Sequence, residues 1–177
     1  MNNILKKMGN NIDYQKRIDD IVNELMKFSD KLREVSDPVD FRLIDLFEEK
    51  YHVELPADYK YLLSKTNGFI LTGYEVIGLG AKYDLDEMYH IEHFEVIMPQ
   101  YRYLVPFSPD GFGNFYCFDT QVKTYNGMSN QIVFWQSNYE YTETDKPEIV
   151  YDSLADYIND WIIGHTLKWY NYDGSEK

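Results

Sequence analysis

The sequence predicts an α+β fold in which helices pack beside an antiparallel sheet. Residues 12–65 carry mostly helical apolar spacing, residues 69–137 carry short apolar runs broken by turn residues, and residues 153–164 return to helical spacing. Strands that are grouped between helices, not alternating with them, are typical of α+β domains. We expect the chain to form a helical N-terminal part, then an antiparallel sheet flanked by helices, and finally a closing C-terminal helix.

The N-terminal segment, residues 1–37, is predicted to hold one amphipathic helix. Residues 1–11 are polar and are expected to fray. Residues 12–35 place apolar side chains on one helical face, namely Ile18, Ile21, Val22, Leu25, Phe28, Leu32 and Val35. We expect this face to pack on the domain; a partner-binding or dimerising helix is the alternative.

A second helix is predicted to end near Tyr51. Asp37 is expected to cap it and Pro38 to occupy its first turn, where the missing N–H of proline costs nothing. The side chains expected to be buried are those of Phe41, Ile44 and Phe47, with Leu43 and Leu46 at the flanks.

A third helix is predicted within residues 55–68, LPADYKYLLSKTNG. Pro56 suits the first turn, and Gly68 can adopt the left-handed conformation that ends a helix. Tyr59, Leu62 and Leu63 lie at i, i+3 and i+4, which places them on one buried face.

The strands are predicted from short apolar runs between glycine-rich turns. They are short strands within residues 69–80, broken by Gly73, Gly78 and Gly80, and strands at 101–107, 115–119 and 131–137, with turns at 110–114 and 127–130. Residues 83–98 fit a helix or a strand, and residues 139–147 form an acidic, aromatic loop or edge. Ser153 is expected to cap the closing helix and Gly164 to end it.

The charge of the chain is strongly acidic and unevenly placed. It has 17 Lys/Arg against 30 Asp/Glu, a net charge of −13, yet residues 1–37 hold seven of each sign. The imbalance therefore falls on residues 38–177. Such a surface repels nucleic acid and attracts basic proteins; solubility alone is the other interpretation. No run of about 20 apolar residues predicts a membrane span, and we expect no secretory signal.

The sequence disfavours several kinds of chemical site. His90 and His93 have no third or fourth ligand at a zinc-like spacing, so two solvated histidines are expected. Residues 84–95 lack the glycine of a calcium loop, and the glycine pairs lack a dinucleotide or phosphate-loop pattern. Cys117, the single cysteine, is expected to be a buried, inert thiol in a reducing compartment. We predict no catalytic site, metal or cofactor, although an unrecognised hydrolase site stays open.

Two acidic stretches are the candidate binding surface. Residues 84–95, DLDEMYHIEHFE, carry five carboxylates and no Lys or Arg, and residues 139–145, YEYTETD, interleave three carboxylates with two tyrosines. Tyrosine supplies rigid contact area and carboxylates pair with cations; an ordinary solvated face is the alternative. The candidate residues are Asp84, Asp86, Glu87, Tyr89, Glu92, Glu95, Tyr139, Glu140, Tyr141 and Glu143.

Four short motifs follow one another along the chain. They are Leu55-Pro56 with Asp58-Tyr59-Lys60, Leu62-Leu63 and Asn67-Gly68; Asp110-Gly111, Gly113-Asn114, Tyr116 and Asp119; Ile132-Val133-Phe134-Trp135; and Ser153-Leu154 with Tyr157. In this order they resemble the SUKH superfamily of bacterial immunity proteins and yeast cell-wall-assembly regulators. The resemblance implies a SUKH-like domain at 38–164, between the extension at 1–37 and a tail at 165–177.

The resemblance also implies a function based on binding. Bacterial members of the superfamily neutralise a toxin domain, often a nuclease, inside the producing cell. We therefore expect a cytoplasmic immunity protein whose partner is a cognate toxin with a basic surface, and neither nucleic acid nor a membrane. An intracellular adaptor or regulator of cell-wall synthesis or signalling is the alternative, and the sequence leaves monomer and dimer open.

Overall fold

The computed structural model describes residues 2–81 and 84–177, with side chains from Tyr14 onward. The helices are α1 (Asn2–Leu25), α2 (Phe41–Tyr51), α3 (Ala57–Leu63), α4 (Leu85–His90), α5 (Leu154–Asp156) and α6 (Gly164–Trp169), with π-helical turns at Ile91–Glu95 and Tyr157–Ile163. The strands are β1 (Arg33–Val35), β2 (Phe69–Leu71), β3 (Tyr74–Val76), β4 (Leu104–Pro109), β5 (Phe115–Thr124), β6 (Ser129–Trp135) and β7 (Glu148–Tyr151). The predicted α+β class is confirmed, and residues 85–95 of the ambiguous segment are helical.

The strands form two antiparallel sheets, in the orders β1-β2-β3 and β4-β5-β6-β7. The two sheets adjoin at β3 and β4, where the Ile77 N–H donates to the Phe107 carbonyl at 2.8 Å and the Ser108 hydroxyl donates to the Glu75 carbonyl. β1 and β7 therefore lie at opposite ends of the strand array. No helix in the described part of the chain is long and apolar enough to cross a bilayer.

Each face of the four-stranded sheet has its own core. Val105, Phe107, Phe118 and Ile132 face the main core, which they share with α1, α3 and the closing helix. The opposite face carries a second, smaller cluster of Leu104, Phe115, Cys117, Val133 and Trp135. The burial predicted for Cys117 is confirmed. The alternation of inward and outward residues along β5 and β6 explains the two clusters, since successive strand side chains point to opposite faces.

The N-terminal helix packs on the domain, as predicted, but its bounds differ. Residues 2–11 belong to α1, and the helix ends at Leu25, not near Val35. The chain leaves the helix because the Ser29 N–H donates to the Tyr172 carbonyl at 2.7 Å and β1 pairs with β2. Ile18, Ile21, Leu25 and Phe28 are buried in the main core.

The start of α2 also differs from the prediction. The cap is Asp40, which accepts from the Arg42 N–H, and Pro38 lies outside the helix. Residues 37–39 stay outside the helix because the Val39 N–H donates to the Leu63 carbonyl and the Asp37 carbonyl accepts from the Asn67 N–H. Ile44 and Phe47 are buried as expected, whereas Phe41, the first helical residue, is 57% exposed.

The end of the closing helix was predicted wrongly. Gly164 has a helical φ of −60° and the helix continues through α6 to Trp169. The preceding π-helical turn brings the Asn159 carbonyl close to the position where a Cβ on residue 164 would lie. Glycine is therefore suited to packing against the wider turn here, and it does not act as a stop.

Asn67 and Gly68 link α3 to the three-stranded sheet. The Asn67 side chain donates to the Leu79 carbonyl at 2.6 Å and accepts from the Leu79 N–H at 2.9 Å. Gly68 has φ +81°, and a Cβ there would collide with the Val76 carbonyl. Asn67 and Gly68 therefore connect segments that are distant in sequence, which is more than the helix end predicted for them.

Candidate partner-binding surface

The two acidic stretches lie over the same face of the four-stranded sheet. Met88 of α4 and Tyr141 of the loop after β6 both pack against the second cluster. The tertiary fold thus brings residues 84–95 and 139–145 to one side of the molecule. We call their exposed members, Glu87, Glu95, Tyr139, Glu140 and Glu143, the acidic face.

Stacked aromatic rings hold the acidic loop in place. Tyr141 stacks on Trp135 with ring centroids 4.1 Å apart, and Tyr101 packs edge-on against both rings. The Tyr101 hydroxyl donates to the Thr142 carbonyl at 2.5 Å. Asp145 closes a turn by accepting from the Thr142 N–H at 2.8 Å. The loop is therefore anchored through Tyr141 and presents its neighbours outward.

Tyr139, Glu140 and Glu143 are the loop residues that face solvent. Tyr139 is 47% exposed and packs edge-on against Tyr141 at 4.7 Å. Both glutamates are exposed and form no ion pair among the described residues. This part of the candidate surface combines a supported aromatic ring with available carboxylates.

Asp84 and Asp86 are partly exposed, and both carboxylates make structural contacts. The Asp84 carboxylate accepts from the backbone N–H groups of Gly80 and Asp86 at 3.0 and 3.1 Å, which caps α4. Asp86 forms an ion pair with Lys50 at 2.7 Å. The positive charge of Lys50 therefore offsets the negative charge of Asp86, and the net negative charge at this end of the surface is smaller than the count of carboxylates suggests.

Tyr89 and Glu92 lie inside the protein, which contradicts their assignment to a contact surface. Tyr89 is 1% exposed and donates to the Arg102 carbonyl at 2.6 Å. Glu92 is 7% exposed, accepts from the Gln100 amide at 3.2 Å, and has its pKa raised by burial. The helical period turns these residues inward, while Glu87 and Glu95 face outward.

Glu87 and Glu95 remain as the exposed carboxylates of the helical stretch. Glu95 lies 3.3 Å from His90, and the His90 ring stacks on Phe94 at 5.1 Å. Phe94 is half-exposed and lies beneath the Arg102 guanidinium at 3.6 Å. Glu87 has no ion-pair partner among the described residues.

Phe112 belongs to the surface but was missed in the sequence. It is 90% exposed at the tip of the β4–β5 turn, where Asp110 accepts from the Phe112 and Asn114 N–H groups. The Ser137 N–H donates to the Asn114 side chain at 3.1 Å, which ties this turn to the acidic loop. A large apolar residue between two turn glycines, where polar residues are usual, is the signal that could have identified it.

His93 is buried, so the expected solvated histidine is wrong at this position. Its Nε2 lies 2.8 Å from the Leu104 carbonyl oxygen and its Nδ1 lies 3.3 Å from that of Gln100. Desolvation lowers the pKa of His93 to about 4. Among residues 2–81 and 84–177, no three His, Cys, Asp or Glu side chains converge in a way that could hold a metal ion.

The Cys117 thiol is shielded from solvent beneath the same surface. It is fully buried, and burial raises its pKa well above the usual value. A thiol that stays protonated and inaccessible is a poor nucleophile. The accessible groups of this surface are carboxylates and aromatic rings, which suit the binding of a protein.

The fold and this surface define a helix-flanked antiparallel-sheet domain suited to protein contact. Residues 38–160 match the SMI1 / KNR4 family (SUKH-1). The chain therefore belongs to this family, and the family suggested by its motifs is confirmed. A search among curated proteins found no match to the chain.

Proposed function

We propose that this chain is an immunity protein that binds a cognate toxin domain and blocks it. Membership of the SUKH-1 family supports a binding role. The observation that carries the proposal is the pairing of exposed aromatic rings with carboxylates on the acidic face. Glu140 and Glu143 are exposed on the same loop as the ring of Tyr139, which packs on Tyr141, and Phe112 lies on the adjoining turn.

The chemistry of this surface favours a toxin with a cationic site, of which a nuclease is the leading case. A nuclease holds phosphate with Lys, Arg or metal ions. Carboxylates of an inhibitor can occupy those positions and exclude the substrate. Aromatic side chains supply the desolvated contact area on which tight interfaces depend. The net charge of −13 adds long-range attraction for a basic partner.

We propose that the chain acts in the producing cell's cytoplasm by occupying the cationic site of the toxin, and that it catalyses no reaction. The Cys117 thiol is buried, and both ring nitrogens of His93 lie against backbone carbonyl oxygens. We expect no turnover of nucleic acid or other substrates.

The direct test is binding and inhibition of the toxin domain encoded beside this gene. We expect a one-to-one or higher complex at micromolar concentration or below, and loss of toxin activity when the chain is present. Isothermal titration calorimetry and a toxin activity assay measure the two effects. An active neighbouring toxin that neither binds nor is inhibited would contradict the proposal.

Charge reversal on the acidic face is expected to slow association. Replacing Glu87, Glu140 and Glu143 by lysine removes steering charge without disturbing a cap or ion pair, so the association rate should fall about tenfold at low salt. Its dependence on salt should also flatten. Stopped-flow or surface-binding kinetics at several ionic strengths measure both.

The matched control reverses Glu34, Asp37 and Glu176, which are equally acidic and exposed and form no ion pair among the described residues. Glu34 lies in β1 and Asp37 lies two residues after it, at the far end of the strand array from β7. The control has the same net charge as the test variant, so it separates local steering from total charge. Equal association rates for the two variants would place the binding surface elsewhere.

A further inference from the structure

The four-stranded sheet has an open edge at β7. β7 pairs with β6 alone, through Ile132 with Tyr151, Val133 with Ile149, and Phe134 with Glu148. No other described residue forms a hydrogen bond with the backbone of Glu148–Tyr151. The opposite edge, β4, adjoins β3. β7 therefore offers unpaired backbone N–H and C=O groups along its outer side.

A shallow acidic groove runs beside this edge. It lies between β7 and the closing helix and is lined by Ile149, Val150, Tyr151, Asp152, Asp156 and Asp160. Asp156 is paired with Arg17 at 2.5 Å, whereas Asp152 and Asp160 have no ion-pair partner among the described residues. Ile149 is 58% exposed. The groove thus combines backbone pairing groups, an apolar contact and free negative charge.

The charge of the groove selects its occupant. A second copy of this chain, paired edge to edge, would bring Glu148 and Asp152 of both copies close together, which like-charge repulsion disfavours. An extended segment bearing Lys or Arg can pair with the backbone of β7 and place its cations near Asp152 and Asp160. The extra residue at Val150 makes a bulge, which limits regular pairing to a short segment.

We propose that the β7 edge receives an extended, Lys- or Arg-bearing segment of the toxin by strand addition. This inference rests on the proposed function and names a recognition element for it. The acidic loop leads directly into β7, and Ile149 pairs with Val133 of the second cluster. The edge therefore adjoins the acidic loop, while Asp152 and Asp160 lie on the side of the sheet that carries the closing helix. Strand pairing would supply register, and these two carboxylates would supply charge complementarity.

The test combines hydrogen exchange with binding, using the full chain and the toxin domain encoded beside it. In the complex, amide exchange within residues 148–151 should slow at least about tenfold relative to the free chain, because outward N–H groups gain acceptors. The variant Asp152→Lys with Asp160→Lys should bind about tenfold or more weakly. The control Glu34→Lys with Asp37→Lys, which carries the same charge change at exposed positions without an ion pair, should bind within about twofold of the wild type.

The outcomes separate the two proposals. A complex that forms with unchanged exchange at 148–151 would overturn strand addition and leave the immunity function standing, as would equal binding by both variants. A free chain that dimerises with β7 already protected would assign the edge to a second copy and overturn the inference. Absence of any complex would remove both proposals. The exchange measurement uses the wild type, so it decides the question even if a lysine variant fails to fold.

Discussion

Replacing Asn67 by alanine is expected to lower the free energy of unfolding by about 3 kcal/mol, since two buried backbone groups lose their partners at once. The Asn67 amide satisfies both the N–H and the C=O of Leu79. Asn67 itself is only 8% exposed, so water has little access to replace it. Urea unfolding followed by circular dichroism measures the change.

The matched control is Asn23→Ala, an exposed asparagine on α1. Alanine is a better helix former than asparagine, so this substitution should change stability by less than about 0.5 kcal/mol. If Asn67→Ala were as mild as the control, the bond pair to Leu79 would have little energetic importance. The expected contrast would show that Asn67 stabilises the junction between α3 and the sheet.

Asp58 is expected to make the protein less stable as the pH rises towards neutrality. The side chain is 2% exposed, accepts from the Tyr59 N–H at 2.8 Å, and is hydrogen-bonded to the Ser129 hydroxyl. Burial raises the pKa of Asp58 from 3.8 to about 7. The folded state therefore holds a proton that the unfolded state releases above pH 4, and the resulting stabilisation is lost as pH rises through 7.

The variant Asp58→Asn should remove this pH dependence, because the amide stays neutral in both states. The raised pKa of Asp58 corresponds to a loss of at most about 4 kcal/mol in the free energy of unfolding between pH 4 and pH 8. We expect Asp58→Asn to be the more stable protein at pH 8 by about 1–3 kcal/mol and to lose the advantage near pH 4. Urea unfolding at pH 4, 6 and 8 measures both curves.

The test compares the free energy of unfolding of the wild type with that of Asp58→Asn at each pH, because His93 changes stability with pH in the opposite direction. Burial lowers the pKa of His93 to about 4, so the unfolded state takes up a proton more readily and stability falls as pH drops below 6.5. The pH dependence of stability in the wild type alone combines the contributions of Asp58 and His93. Parallel stability curves for the wild type and Asp58→Asn would show that Asp58 does not titrate as its burial requires.

Local patterns in the sequence predicted many elements of the fold. The apolar face of α3, the turn at 110–114 and the cap at Ser153 depend on neighbouring residues, and each lies where it was expected. The ends of α1 and α2 were predicted less well. Those ends depend on hydrogen bonds to Tyr172, Leu63 and Asn67, which are remote in the chain.

The exposure of the candidate residues was predicted in part, for a related reason. Counting carboxylates located both acidic segments but could not separate Glu87, which is exposed, from Glu92, which is buried. Asp84 and Asp86 are likewise occupied by a helix cap and by Lys50. The role of Phe112 became visible only when the turn was found beside the acidic loop.

The sequence by itself determined the α+β class, the family motifs and the acidic balance of the domain, because these depend on composition and on spacing over a few residues. The tertiary structure alone decided which carboxylates face solvent, that the two acidic stretches share one side, and that β7 is an open edge. Those properties depend on which distant segments pack and pair together, and a local pattern carries no information about such contacts.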